Sequence, residues 1–407
     1  MNDLLIKNGY IEEFKDVMDI AVKNGKIVEI KKNIEEDAFK IIDARERLVT
    51  PGLIDAHTHL EKALTIEGTE SCTLEEAIQT FEKRCEKISE EDIRYRASKV
   101  LNMAIKNGTT AIRTHILVDQ YIKLMGIKVL SELKEEYKDL IDIQIVAMAP
   151  VEGNIIDERN IKLLDEASKY NIDLYGGSPS LSANPKEQID AIFKLAKKNN
   201  LGLDFHSDES DQPIISTLEY LAEKTIVENM QGKVTAGHCV ALAYIPKEIA
   251  EPIIKKVKKA EINIVTLPSC NVYLMGRNDK QPISRGVTRV KDFLESGVNI
   301  TFASDNIQDP FRPFGNANML EESLFTSQVL QMGTISQLKT IFKMATYNAA
   351  KVLGLESYGI AKGCYADLIV FDAKSVDEAI VTQANTAYVI KKGKVIVQNI
   401  KETIINY

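Results

Sequence analysis

Between Pro51 and Asn306 the chain alternates short apolar runs with amphipathic stretches, a pattern that few folds accommodate. The runs read GLIDAHTH, TAIRTHIL, DIQIVAMAP, DLYGGSP, GLDFHS, VTAGHC, NIVTLPS and NITFASDN. Stretches such as EEDIRYRASKVLNMAIKNG and PKEQIDAIFKLAKKNN separate most of them. In the second stretch Ile189, Ile192, Phe193 and Leu195 share one face at helical spacing. Eight strand-like segments alternating with helices predict a (β/α)8 TIM-type barrel. All five histidines, His57, His59, His115, His206 and His238, fall at the ends of such runs. In a parallel barrel those ends gather on one face, where metals, acids and bases are kept.

The two ends of the chain differ from its middle. Residues 1–50 carry short strand patterns with turn signals at Asn8-Gly9 and Asn24-Gly25, and ADLIVFDA and AYVIKKGKVIVQN repeat that style near the C-terminus. The expected organisation is a small β-sandwich from residues 1–50 plus 359–407 around a barrel over 51–358. A net charge of −8 disfavours nucleic acid as a partner. No apolar run approaches a membrane span, and the opening MNDLLIKNGYIEEF lacks the segments of a signal peptide, so a cytoplasmic location is expected. Five cysteines without a CxxC pair read as reduced thiols, not as disulfides or a thiolate zinc site. The same absence excludes the deaminase fold marked by H-x-E and P-C-x-x-C. Cys239, beside His238, receives no role.

His57-Thr58-His59 is an HxH pair, and residues i and i+2 of a strand point to the same side. Alone such a pair recurs by chance; here it follows an apolar strand and Pro51-Gly52. His206 would add a third nitrogen and Asp305 a carboxylate. Three nitrogens and one oxygen suit one divalent metal ion, Zn2+ or Fe2+, with an open position for water. Asp305 also has a bland reading, as a helix cap or an Asx-turn. Water bound to such a metal loses a proton near neutral pH. Glu209, three residues after His206, is the candidate proton shuttle. The acidic cluster of Asp208, Glu209 and Asp211 reads equally as a solvated loop. His238 is positioned to orient the attacking hydroxide or to stabilise charge on it. His115 suggests a supporting role, with Arg113 nearby.

Beyond these residues, LVTPGLIDAHTHLEKAL, HSDESD, GHCVAL, GRNDKQPISRGVTRVKDFLESGVNI and ASDNIQDPFRPFGNANML resemble the cytosine deaminase subgroup of the amidohydrolase superfamily. TYNAAKVLGL with GIAKGCYADLIVFD resembles that superfamily's C-terminal signature. The resemblance covers nearly the whole chain. It implies a barrel with one catalytic iron or zinc held by His57, His59, His206 and Asp305. It also implies Glu209 as proton shuttle, His238 as hydroxide-stabilising histidine, and self-association into a homo-oligomer. The fourth strand, DLYGGSP, lacks the lysine that two-metal relatives carbamylate, which favours one metal. Glu152 is discounted as a ligand, because the subgroup does not use its equivalent.

The departures from that subgroup bear on substrate. Pro150-Val151 replaces the glutamine that reads the pyrimidine edge, Phe311 replaces a tryptophan, and Asn306 replaces a second acid after the metal aspartate. Val151, Asn306 and Phe311 are therefore the expected substrate contacts, for a smaller or more apolar ring than cytosine. The expected activity is hydrolytic deamination of a small cyclic amidine with release of ammonia. Creatinine, giving N-methylhydantoin, stands first and cytosine second. The alternatives are amine removal from an N-alkyl triazine, whose known relatives lack the His206–Glu209 spacing, and a non-catalytic structural barrel.

Overall fold

The computed structural model describes residues 1–66, 73–150, 158–215, 217–402 and 404–405. Its centre is a barrel of eight parallel strands: β1 (Leu53–Thr58), β2 (Thr109–Leu117), β3 (Asp142–Met148), β4 (Leu174–Gly177), β5 (Gly202–Ser207), β6 (Val234–His238), β7 (Asn263–Thr266) and β8 (Ile300–Phe302). Each pairs with its neighbours in chain order, as right-handed β–α–β crossovers require. Closure comes just past β8, where the Asp305 N–H donates to the His57 carbonyl at 2.9 Å and Thr58 bridges Asp305. β1 and β2 are buried at every position, because helices cover one face and the barrel interior takes the other.

Local sequence explains the helices around it. The helix Pro185–Asn199 has Pro185 in its first turn and ends on Asn200 in the left-handed region (φ 53°). It buries Ile189, Ile192, Phe193 and Leu195, the face expected from spacing. Leu74–Cys85 starts with a capping box of Thr73 and Glu76. Among the described residues, no helix is long and apolar enough to cross a membrane.

The two ends of the chain share a second eight-stranded sheet. Its order is Lys394–Gln398, Thr386–Lys391, Leu368–Phe371, Leu48–Pro51, Asn2–Ile11, Asp16–Lys23 and Lys26–Lys31, with Ala38–Asp43 also on Asn2–Ile11. It is one curled sheet by hydrogen bonding, not two facing ones: the Ile27 N–H reaches back to the Cys364 carbonyl at 2.9 Å. Leu4, Ile20, Val22, Leu368, Val370 and Ile390 fill the curl. Asn24-Gly25 makes a tight hairpin turn with both residues at positive φ (51° and 75°). Asn8-Gly9 does not turn the chain. It is a bulge inside one strand, where the register shifts between Ile6 and Gly9. A side chain at Gly9 would meet Val49 Cγ2 at 2.5 Å.

Lys391 ties this sheet to the barrel. Its Nζ is fully buried and donates to Asp142 at 2.6 Å, Asp367 at 2.7 Å and the Thr110 carbonyl at 3.0 Å. All three protons of the ammonium are used, which is what makes a buried lysine tolerable.

Candidate active site

The strand ends bring four distant side chains together. His57 and His59 come from β1, His206 from β5, and Asp305 follows β8; one ligand atom of each lies within 4.8 Å of the others. Asp305 takes a left-handed backbone (φ 60°), held by the closure bond to His57. Such strain in a non-glycine residue persists only where its surroundings fix it. Gly237 of β6 leaves room beside the His57 ring, since a Cβ there would approach His57 Cε1 to 3.3 Å.

Asp305 Oδ1 lies 3.5 Å from His57 Nε2 and 3.4 Å from His59 Nε2, and His59 Nε2 is 3.1 Å from His206 Nε2. A tetrahedral zinc with donors at about 2.1 Å would space them about 3.4 Å apart. The His59 Nδ1–H donates to the His115 carbonyl at 3.1 Å, which turns the Nε2 lone pair toward the cluster. His57 Nε2 and Asp305 Oδ2 are buried without a hydrogen-bond partner. Leaving such atoms unpaired costs about 1–3 kcal/mol each, which a shared cation would recover. Burial, followed by the charge of Lys62, pushes His59 down to about 3. Burial also holds His57 and His206 well below the usual histidine range. Burial acts to raise the Asp305 carboxyl, but His59, His238 and Cys270 together outweigh it and keep it below the ordinary value. Neutral imidazoles around an ionised carboxylate are the protonation states that divalent metals need. The residues therefore fit one such ion.

A second grouping of His57, His115 and Asp204 does not make another centre. The His57 and His115 rings stack at 3.8 Å with planes 30° apart, so their in-plane lone pairs run nearly parallel and cannot converge on one ion. His115 Nε2 lies 3.3 Å from Asp204, which also accepts from Arg113 at 2.7 Å. His115 thus packs beneath His57, with a charge-balanced aspartate behind it.

Glu209 lies over the cluster. It is buried, with Oε1 3.2 Å from His238 Nδ1. Burial, then the Asp305 charge, raises its carboxyl well above the ordinary range. Burial pushes His238 down to about 4, so its ring is neutral. The Asn271 amide Nδ2 is 3.1 Å from the same Nδ1. The Asn271 amide nitrogen can only donate, so Nδ1 accepts and the ring proton sits on Nε2, which has no hydrogen-bond partner among the described residues. His238 and Cys239 both have left-handed backbones, and Cys239 is buried with its thiol toward the carbonyls of its own strand.

The pocket beside these groups spans about 370 Å³ of space, part of it open to solvent. Leu74, Ile78, Met148, Leu181 and Phe311 supply an apolar wall, and Lys62, Ser178 and Asn306 polar points. Sequence reasoning missed Lys62. It is buried, its ammonium 4.5 Å from the Phe311 ring centroid and 5.6 Å from that of Phe81. The only signal was its place three residues past His59, and a lysine in a turn ordinarily reads as surface. Asn306 and Phe311 both line the pocket. Val151 and Glu152 lie outside the described residues.

Comparison with known proteins agrees with this geometry. The model of the Amidohydrolase family matches residues 48–396. N-isopropylammelide isopropyl amidohydrolase of Pseudomonas sp. (strain ADP) is 35% identical over 407 residues, covering 98% of each chain. Pterin deaminase of Rhizobium rhizogenes is 33% identical over 389 residues, covering 93% of this chain and 87% of the other. Among solved structures, 5-methylcytosine deaminase from Klebsiella pneumoniae liganded with 5-fluorocytosine superposes with a TM-score of 0.93 at 31% identity, covering 99% of both chains. The chain belongs to the amidohydrolase family and is a hydrolase of carbon–nitrogen bonds.

Proposed function

We propose that this enzyme removes an exocyclic amine, free or N-alkylated, from a small oxo-bearing nitrogen heterocycle. One observation carries the reading: a four-donor cluster and a buried carboxyl lining one small, mostly apolar pocket. His57, His59, His206 and Asp305 would hold one divalent ion, zinc or ferrous iron, which when bound supplies Lewis acidity and acidifies water. Ionised Glu209 takes one proton of the attacking water and gives it to a ring nitrogen, then takes the proton of the new C–OH and gives it to the leaving amine. The His238 Nε2–H donates to charge developing on the oxygen. The net change is water in, an exocyclic C–N bond broken, a ring C=O formed and amine or ammonia out. The Lys62 ammonium is placed to donate to a ring oxo group, and Phe311 covers the ring face.

Ammelides, pterins and cytosines share an amine next to ring nitrogen and an oxo group on the ring, which supports the class. Within it, the departures at Val151, Asn306 and Phe311 favour creatinine, an N-methylated ring with the same amine-and-oxo pattern. An N-alkyl aminotriazine is the second reading; the apolar side chains of Leu74, Ile78, Met148 and Leu181 suit an alkyl group on the leaving nitrogen. Ammonia and amine release from creatinine, cytosine, 5-methylcytosine, a pterin and N-isopropylammelide tests the proposal. Turnover of at least one is expected, with creatinine giving the highest kcat/KM. Highest kcat/KM on N-isopropylammelide would install the second reading, and silence across the panel from metal-loaded protein would end both.

A further inference from the structure

The loop after β8 holds an acid that the chemistry above does not use. Asp309 is fully buried and accepts three hydrogen bonds. Its Oδ1 takes the backbone N–H groups of Phe311 at 2.9 Å and Arg312 at 3.0 Å. Its Oδ2 takes the Asn306 side-chain Nδ2 at 2.7 Å. Arg312 fixes the same loop, its Nη1 reaching the Ser304 carbonyl at 3.2 Å, the Asn306 carbonyl at 3.3 Å and Glu322 at 2.8 Å. The direction in which Asp309 points is therefore set by backbone and by a buried ion pair, not by solvent.

We infer that Asp309 is a positioning residue: it fixes the amide of Asn306 so that the carbonyl oxygen is presented to an N–H on the substrate. An amide can offer a carboxylate only its nitrogen, so the bond to Asp309 removes the rotational ambiguity of Asn306. Among the described residues the freed Oδ1 has only the Cys270 thiol, a weak donor, at 3.6 Å. A neutral acceptor beside the ionised Asp305 recognises an amino or ring N–H without adding a second negative charge to the metal cluster. A substrate with an acceptor at that point would face an oxygen and be rejected, because an unmatched polar pair in a buried site costs heavily. This inference rests on the proposal that Asn306 touches substrate.

The test is a pair of isosteric swaps. In Asp309→Asn the oxygen must still accept from the Phe311 and Arg312 N–H groups, so the new amide nitrogen faces the Asn306 nitrogen. Donor then meets donor, and Asn306 turns over. The expected result is a tenfold to hundredfold loss of kcat/KM with an unchanged melting temperature. In the double variant Asp309→Asn/Asn306→Asp the donor and acceptor trade places, and an oxygen again faces the pocket. Recovery to within a few-fold of wild type is expected. A single variant within twofold of wild type, or a double variant no better than the single, overturns the inference. A second readout separates it from the function: in protein labelled with 15N-asparagine, the Asn306 side-chain signal should move in Asp309→Asn. If it does not move, the positioning is wrong whatever the substrate. If it moves while the wild type turns over none of the heterocycles, the proposed function fails and the positioning stands.

Discussion

Glu209→Gln isolates the proton-transfer step from everything else in the site. The glutamine keeps the shape of a side chain that is buried and 3.2 Å from His238 Nδ1. It is also nearly isosteric with glutamate and is not one of the four metal donors, so folding and metal content should not change. What is lost is the ability to carry a proton. Positioned acids and bases contribute about 10²- to 10⁴-fold, and Glu209 is asked to act as both base and acid in one turnover. The upper end is therefore expected, a fall in kcat of about 10³- to 10⁴-fold, or about 4–5.5 kcal/mol on the barrier. KM should shift by less than about threefold, since the isosteric amide can still hydrogen-bond the ring nitrogen that Glu209 faces. The assay is steady-state ammonia or amine release, with metal content measured on the same preparation. A loss below about tenfold with the metal intact would refute the role, because a passive carboxylate is the only reading that tolerates it.

Three further outcomes follow from the geometry. Lys62→Met keeps the stem against Phe311 and removes the charge; losing one charged hydrogen bond of about 1.5–3 kcal/mol should cut kcat/KM by about 10- to 100-fold, mostly through KM. An unchanged KM on an oxo-bearing substrate would remove Lys62 from recognition. Lys391→Met strands Asp142 and Asp367; a broken buried pair costs about 3–5 kcal/mol, and the 39% exposure of the Asp142 side chain reduces this to about 2–3. Thermal unfolding should shift down by several degrees with kcat retained, whereas an unshifted midpoint would show that the staple contributes nothing. Protons compete for the imidazoles only near their own pKa, and His59 lies at about 3. Between pH 8 and pH 5 protonation of His59 should therefore leave metal affinity nearly unchanged, where each ordinary histidine (pKa about 6.5) would weaken it about 30-fold; a steep fall in affinity below pH 6.5 would contradict the burial effect.

The barrel was readable from the sequence because its strands carry their own evidence. Runs such as TAIRTHIL are short and rich in apolar residues, helices between them show spacing like that of Ile189, Ile192 and Phe193, and the histidines fall at or near the strand ends. The convergence of His57, His59, His206 and Asp305 followed from that topology alone. Asn8-Gly9 misled because positive φ serves a bulge as well as a turn, and only the position of Asp19 and Asp43 around Asn8 decides between them. Lys62 and Asp309 were invisible for a related reason. Both are charged residues in loops, and what makes them buried is the packing of Phe311 over one and the folding of Arg312 and Asn306 around the other. Such contacts join residues whose types announce nothing until the loop is closed.

Metal stoichiometry tests the central claim most directly. Wild-type protein, purified without chelator and analysed by plasma mass spectrometry, should hold one zinc or iron per chain. Asp305→Ala and His206→Ala should each lose it while keeping the secondary structure of the wild type by circular dichroism. Retention of a full equivalent in either variant, or two ions per chain in the wild type, would show that these four side chains do not form the single centre described.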